Sequence, residues 1–425
     1  MKIVAILEVD PRMGGGVIRA ARSVRGYAES GIYTVFLRHL DRSRDTDHGY
    51  LFRASGLIAS MERSGARYCG VVENHAEIDN IPILRRTVRN LLTAILPRIR
   101  MVWKCGGMAG EIDAAISMHE DPEIMSIALA IARETSSTSI AILQLPPFYG
   151  DKERLRNIEH ANTIWSRLFG AGKRYRYFRA ALRLFDDKIY RIYLERLLKS
   201  FDLLIPLSRS IPLEMGVEWN NMRTLDPGYN LNKEDIEIIQ RIRKSFPRYR
   251  ENMVVFTARV EPSKGVIEAL YAFKLMARRK PGLRLAIIGR MDSQTRDGIF
   301  RLAKKLGIFD KVVLKDYLPR GELFMLRARS KLLLYPSHED SFSYTVLESL
   351  HLGVPVVGYD IPALRINHLE RGASGISLVK EFDVVSMAEE GLRMIDDNVE
   401  VSPPNLPSWD EIISKEVELL RRVVR

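Results

Sequence analysis

Residues 337–357 read SHEDSFSYTVLESLHLGVPVV. An apolar run, residues 331–335, stands before them, and a second, residues 356–359, closes them. The spacing between predicts a helix over residues 344–352, stopped by Gly353 and Pro355, as expected for a glycine just past a helix with proline soon after. The segment is therefore strand, loop, helix, strand, the repeating unit of a parallel sheet. Its loop carries Glu339 and Asp340, Ser343 is placed to cap the helix, and Glu348 falls in the second turn, with seven residues between it and Asp340. A loop carboxylate, free helix-terminal N–H groups and a helix carboxylate can thus meet one ligand. Carboxylates suit sugar and ribose hydroxyls, and the N–H groups suit phosphate.

The same alternation extends upstream. Residues 253–257, 283–288 and 311–314 read as strands, with helices over 266–279 and 296–306. Between the first strand and its helix lies TARVEPSKGV, residues 257–266, which sets Arg259 and Lys264 in one strand-to-helix loop. Two cations there can neutralise a diphosphate; alternatively Arg259 is a surface ion pair with Glu261. The first half repeats the plan, with strands over residues 2–7, 33–37, 114–118, 139–143 and 203–207. Gly14, Gly15 and Gly16 follow the first strand and precede a helix over 17–30. They are either a flexible turn or a close backbone approach to phosphate. They do not match the dinucleotide fingerprint, whose third glycine would fall at Arg19.

The chain is thus read as two open α/β sheets in series, residues 1–230 and 231–407. Residues 226–251 form the linker, and the end of the chain, residues 409–425, reads as a helix after a proline-rich turn. Ligands are expected outside the carboxyl ends of the strands. A length of 425 residues agrees with two cores. The net charge of +12 favours acidic partners such as nucleotides or phospholipid surfaces. The two cysteines, Cys69 and Cys105, show neither metal-ligand spacing nor a disulfide framework, which points to the cytoplasm. The opening MKIVAILEVD starts a strand and has no signal-peptide pattern, and no stretch has transmembrane length and purity. Residues 152–201 include a basic amphipathic pattern. Phe178, Leu182, Phe185, Ile189, Ile192 and Leu197 share one face, ringed by Arg179, Arg183, Lys188, Arg191, Arg196 and Lys199. It is either a helix packed on its own sheet or a surface for anionic lipid on the inner face of the membrane. Arginine-rich residues 85–104 could add to that surface.

With these residues assembled, the chain resembles the retaining glycosyltransferases of family 4, which have the GT-B fold and an E-x7-E signature. Residues 340–348 match that signature, with aspartate at its first acid, and ARVEPSKG matches the arginine–lysine clamp. SMHEDP resembles the loop that holds a histidine near the donor sugar, and DPGYN the turn that ends the first domain. The resemblance implies two Rossmann-like domains facing a cleft, with the final helix, residues 408–425, returning to the first, and a nucleotide diphosphate sugar as co-substrate and no metal. It further implies that Glu348 binds the ribose hydroxyls, and that Asp340, with Glu339 or Ser341, holds hydroxyls of the donor sugar. Arg259 and Lys264 would bind the diphosphate, helped by backbone N–H groups of Phe342, Ser343 and Tyr344 and by Gly14, Gly15 and Gly16. His119 would touch the sugar near the reacting carbon; read alone, it is a residue leading into a helix before Pro122.

The expected reaction is hexose transfer to an acceptor hydroxyl by front-face displacement, the acceptor being lipid-linked or a saccharide. No Asp-x-Asp metal motif stands beside Arg259 and Lys264. On this reading Lys264→Ala and Glu348→Ala each abolish most transfer and leave the fold intact. Two other enzyme classes suit the same plan, a sugar phosphorylase and a nucleotide-sugar epimerase. A non-catalytic basic module for membrane or nucleic acid leaves Asp340 and Glu348 unexplained, so nucleic acid is not expected as a partner.

Overall fold

The computed structural model describes residues 1–10, 14–39, 48–74, 99–103, 112–169, 190–245 and 250–424. The chain divides into two compact units. The first contains residues 1–148, 172–229 and 410–425, and the second residues 149–171 and 230–409. Both are Rossmann-like sheets of the GT-B class.

The sheet of the first unit has seven strands in the order β4-β3-β2-β1-β5-β6-β7. They are β1 (Lys2–Leu7), β2 (Tyr33–His39), β3 (Arg67–Asn74), β4 (Ile99–Trp103), β5 (Ala114–Ser117), β6 (Thr138–Leu143) and β7 (Leu203–Pro206). All pair in parallel except β3 with β4. In β1, Ile3 to Leu7 are wholly buried, which is why a parallel strand covered on both faces reads as an unbroken apolar run. The chain winds outward in both directions from β1 and β5. Loops leaving that adjacent pair splay apart and open a crevice at their carboxyl ends. Gly14–Gly16 follow β1 and His119 follows β5.

The second sheet has six parallel strands in the order β10-β9-β8-β11-β12-β13. They are β8 (Met253–Thr257), β9 (Arg284–Ile288), β10 (Val312–Lys315), β11 (Leu332–Tyr335), β12 (Val356–Tyr359) and β13 (Ile376–Val379). Its switch point lies between β8 and β11, so the loop with Arg259 and Lys264 neighbours the loop with Glu339 and Asp340. Gly265 has φ of +72°, and a Cβ there would come within 2.0 Å of the Pro336 carbonyl oxygen, at the end of β11. Only glycine allows so close an approach with that backbone. Gly265→Ala is expected to lower stability by at least about 1–3 kcal/mol, read as a fall in the urea midpoint.

Several sequence expectations change. Residues 226–251 are not merely a linker, because Lys233–Ser245 is a helix. Residues 149–171 cluster with the second unit, where Phe169 joins the core and Ile164, Trp165 and Leu168 pack against it. In the first unit, residues 190–199 are helical and bury Leu194 and Leu198. In these described parts of the basic stretch the apolar side chains are committed mainly to domain cores, although Ile192 is exposed. The calls on residues 170–189, 75–98 and Lys104 lie outside the described residues. No described helix is long and apolar enough to cross a membrane. Cys69 is disulfide-bonded, although the sequence shows no disulfide framework. The antiparallel pairing of β3 with β4 brings a distant stretch of chain alongside it, and sequence spacing carries no trace of that pairing.

The final helix, Trp409–Val423, belongs to the first unit from Asp410 onward. Its buried Glu416 pairs with buried Arg19 at 2.7 Å and accepts the Tyr27 hydroxyl. Arg19 also donates to the Gly228 carbonyl at 2.6 Å. That bond ties the DPGYN turn to the helix that follows Gly14.

Candidate functional site

The loop after β11 is built around Asp340. One carboxylate oxygen, Oδ1, accepts the backbone N–H groups of Ser341 at 2.9 Å, Ser343 at 3.1 Å and, more weakly, Phe342 at 3.4 Å. The other, Oδ2, accepts the Tyr335 hydroxyl and lies 3.8 Å from Lys264 Nζ. Burial pushes this carboxyl up, but the Lys264 ammonium, the Tyr335 hydroxyl and the backbone donors outweigh it and hold it below its ordinary value. The loop carbonyls are held as well. Asn367 Nδ2 donates to the Ser341 oxygen at 2.8 Å, and His368 Nε2 to the Phe342 oxygen at 2.6 Å. Burial lowers His368 to about 4, so at neutral pH it donates as an uncharged imidazole. Ser343 caps the helix as expected, its Oγ accepting the Val346 N–H at 3.3 Å, and it does so with φ of +69°. The cap offsets the left-handed backbone.

Lys264 is 8% exposed and donates to the Glu339 carbonyl. Glu339's own carboxylate accepts the Tyr149 hydroxyl at 3.1 Å. Arg259 is one-third exposed and 3.2 Å from Glu261, the surface pair considered above.

Below the loop lies a buried cluster. His338 stacks on Phe382 with ring centroids 4.4 Å apart, and its Nδ1 is 2.7 Å from Glu381 Oε1. Arg154 pairs with Glu381 and donates to the His338 carbonyl.

Glu348 sits in a second network. Its Oε2 accepts Arg327 at 2.6 Å and its Oε1 accepts Arg320 at 2.9 Å. Arg327 also donates to Thr257 Oγ1 at 3.0 Å, at the end of β8. Arg320 holds both oxygens of Asp235 at 2.7 Å each.

In the first unit, Gly14 has φ of +106° and caps its helix without a side-chain bond. A Cβ on Gly16 would be 3.0 Å from Gln144 Oε1. Gln144 donates to the Met118 carbonyl at 2.7 Å and sits 3.4 Å from His119 Nδ1. His119 is lowered to about 4 by burial and by the neighbouring His39, so its ring is neutral. With Nδ1 facing the Gln144 amide, the proton belongs on Nε2, a buried atom without a partner among the described residues.

Glu120, beside it, is raised to about 7 by burial, against the backbone N–H groups of Glu120, Gln144 and Leu145. The folded chain therefore keeps a proton that the unfolded chain releases near 4.5. Stability should fall as pH rises through about 4.5 to 7, with a slope of at most about 1.4 kcal/mol per pH unit. Glu120→Gln is expected to flatten that decline in melts taken across the window.

Within the second unit the structure thus joins Lys264, Glu339, Asp340, Ser341, Phe342 and Ser343 in one loop pair and ties Glu348 to the end of β8. In the first unit it joins Gly16, Gln144 and His119. Sequence reasoning did not single out Arg327, Arg320, Asp235, Tyr335, Asn367, His368 or Gln144 for the site. For Arg327 a faint signal exists: an arginine at an inward position of a helix whose neighbours Phe324 and Ala328 are core.

Residues 238–401 match the family described as Glycosyl transferases group 1. Among curated proteins, the chain is similar to the D-inositol 3-phosphate glycosyltransferase of Segniliparus rotundus, with 31% identity over 118 residues, 27% of this chain and 26% of that protein. The matched stretch is about a quarter of that relative's length, and 42% of the length of the D-inositol 3-phosphate glycosyltransferase of Thermobispora bispora. Among solved structures, Alr3699/HepE of Anabaena, in complex with UDP and glucose, aligns over 99% of both chains with a TM-score of 0.58 and 12% identity. Sucrose-phosphate synthase of Thermosynechococcus elongatus aligns over 100% of this chain and 99% of its own, with a TM-score of 0.61 and 13% identity. These likenesses establish the two-domain GT-B fold over the whole chain.

Proposed function

We propose, from the match of residues 238–401 to the group 1 glycosyl transferases, that the chain is a retaining, metal-independent glycosyltransferase. It moves a hexose from a nucleoside diphosphate sugar to an acceptor hydroxyl. The observation that carries this reading is the meeting of the β8 and β11 loops at a switch point, with Lys264 Nζ 3.8 Å from Asp340. A buried ammonium beside a strand-end crevice suits a leaving diphosphate.

Lys264 and Arg259 neutralise the diphosphate as the bond from sugar carbon to phosphate oxygen breaks. The acceptor oxygen bonds to the same face of that carbon, and its proton passes to the departing phosphate oxygen. The chain's contribution is positioning and charge stabilisation. Glu348 accepts the ribose hydroxyls. Of the two acids in the loop, Glu339 takes the sugar hydroxyls, because Asp340 is already saturated by Tyr335, Lys264 and its own loop. The neutral His119 ring, whose Nε2 has no partner among the described residues, can donate one hydrogen bond to a ligand hydroxyl. The acceptor is a saccharide or a lipid-linked hydroxyl.

A thermal-shift panel of nucleoside diphosphates and their sugars tests the reading, since a ligand that binds only the folded state raises the melting temperature. A rise with at least one nucleotide sugar is expected; a flat panel at millimolar ligand would remove the assignment. Proton NMR of the first product formed should show the donor's anomeric configuration. Inversion would refute retention, and phosphate-dependent turnover would favour a phosphorylase.

A further inference from the structure

Arg327 is a full charge with no exposed surface. Its guanidinium spans Glu348 Oε2 at 2.6 Å and Thr257 Oγ1 at 3.0 Å. On the other side, Arg320 reaches Glu348 Oε1 at 2.9 Å and is itself gripped by both oxygens of Asp235. Two arginines and two carboxylates make the group neutral overall, which is the condition for burying it. We propose that Arg327 and the Asp235–Arg320 pair are positioning residues that lock Glu348 as a reader of the ribose diol. This inference rests on the nucleotide-sugar reading above.

The argument is one of lone pairs. A carboxylate has about four acceptor sites, two on each oxygen. Arg327 takes one on Oε2 and Arg320 one on Oε1, so each oxygen keeps one. A ribose offers two adjacent hydroxyl donors, at its 2′ and 3′ carbons. A carboxylate pinned at both oxygens cannot rotate about its last bond, so the two remaining sites keep one orientation. Preorganisation of this kind converts a flexible acceptor into a discriminating one, because loss of one hydroxyl leaves a buried acceptor unpaired. Arg320, with about a third of its side chain exposed, marks the open side of the network, and Arg327 its closed side. Thr257 links the device to the strand that leads to Arg259.

The experiment is calorimetric titration of the full chain with UDP and GDP and with their 2′-deoxy and 3′-deoxy forms. The unaltered protein should prefer a ribose form over either deoxy form by about 10- to 100-fold, as expected for a hydrogen bond to a charged group. In Arg327→Lys, which keeps the charge and loses the fork, and in Arg320→Gln, at the half-open side, the preference should shrink to about threefold or less while affinity for the deoxy forms holds. If Arg327→Lys does not fold, Arg320→Gln decides. A purely structural role predicts equal weakening for ribose and deoxy forms, and that result, or an intact preference, overturns the inference while leaving nucleotide binding in place. Failure of the unaltered protein to bind any of these nucleotides overturns the underlying reading as well.

Discussion

Lys264→Ala is expected to lower kcat/KM for sugar transfer by about 100- to 1,000-fold, the usual cost of deleting one preorganised charge at a leaving group. The loss should fall mainly on kcat, because the charge that Lys264 answers grows as the diphosphate departs. Steady-state kinetics with varied donor separate the two parameters. The same ammonium bonds the Glu339 carbonyl and faces Asp340, so its loss also loosens the loop. A second readout follows from that. Asp340's carboxyl is held below its ordinary 3.8 in the folded chain. The stabilisation is therefore present above about pH 4 and is lost as pH falls through the depressed value. Lys264→Ala should lose part of this acid-limb dependence in melts between about pH 2 and 5, and Lys264→Arg should retain it. Wild-type kcat in a folded Lys264→Ala protein would end the assignment of this residue.

Glu348→Ala should do more than stop transfer. From the sequence it was expected to leave the fold intact; the buried partner of Glu348 revises that. Removing the carboxylate strands Arg327, a cation with no exposed surface, and breaking such a pair costs about 3–5 kcal/mol. For a unit of this size the melting temperature should drop on the order of 10 °C. Glu348→Gln keeps the shape and one acceptor, so it should melt between the two and retain part of the nucleotide affinity. Equal melting temperatures for Glu348→Ala and the unaltered protein would show that Arg327 finds another partner. Because activity and stability fall together in Glu348→Ala, Glu348→Gln is the better probe of ribose binding.

Much of the candidate site was legible because its signals are local. A cap at Ser343, a carboxylate one helical turn further at Glu348, and cations between a strand and its helix at Arg259 and Lys264 each need only a few residues of chain. The two-sheet plan was legible for a similar reason: β1, β8 and β11 are buried on both faces and so are apolar throughout. β3 escaped notice because its sequence, RYCGVVEN, mixes polar and glycine residues, and β4, IRMVW, because it is a short edge strand. β13 escaped because it has four residues that are mostly half-buried.

From the sequence alone came the fold class, the strand-to-helix loops and the chemical types placed in them, since periodicity and helix stops are written residue by residue. Tertiary structure alone decided which of those groups are already spoken for. Asp340 turns into its own loop and onto Tyr335, Glu339 faces Tyr149 from a segment that packs with the second unit, and Arg327 rises from a helix 21 residues away to meet Glu348. Those partners are set by strand order and packing. A buried charge must find its counter-charge wherever the chain happens to bring one.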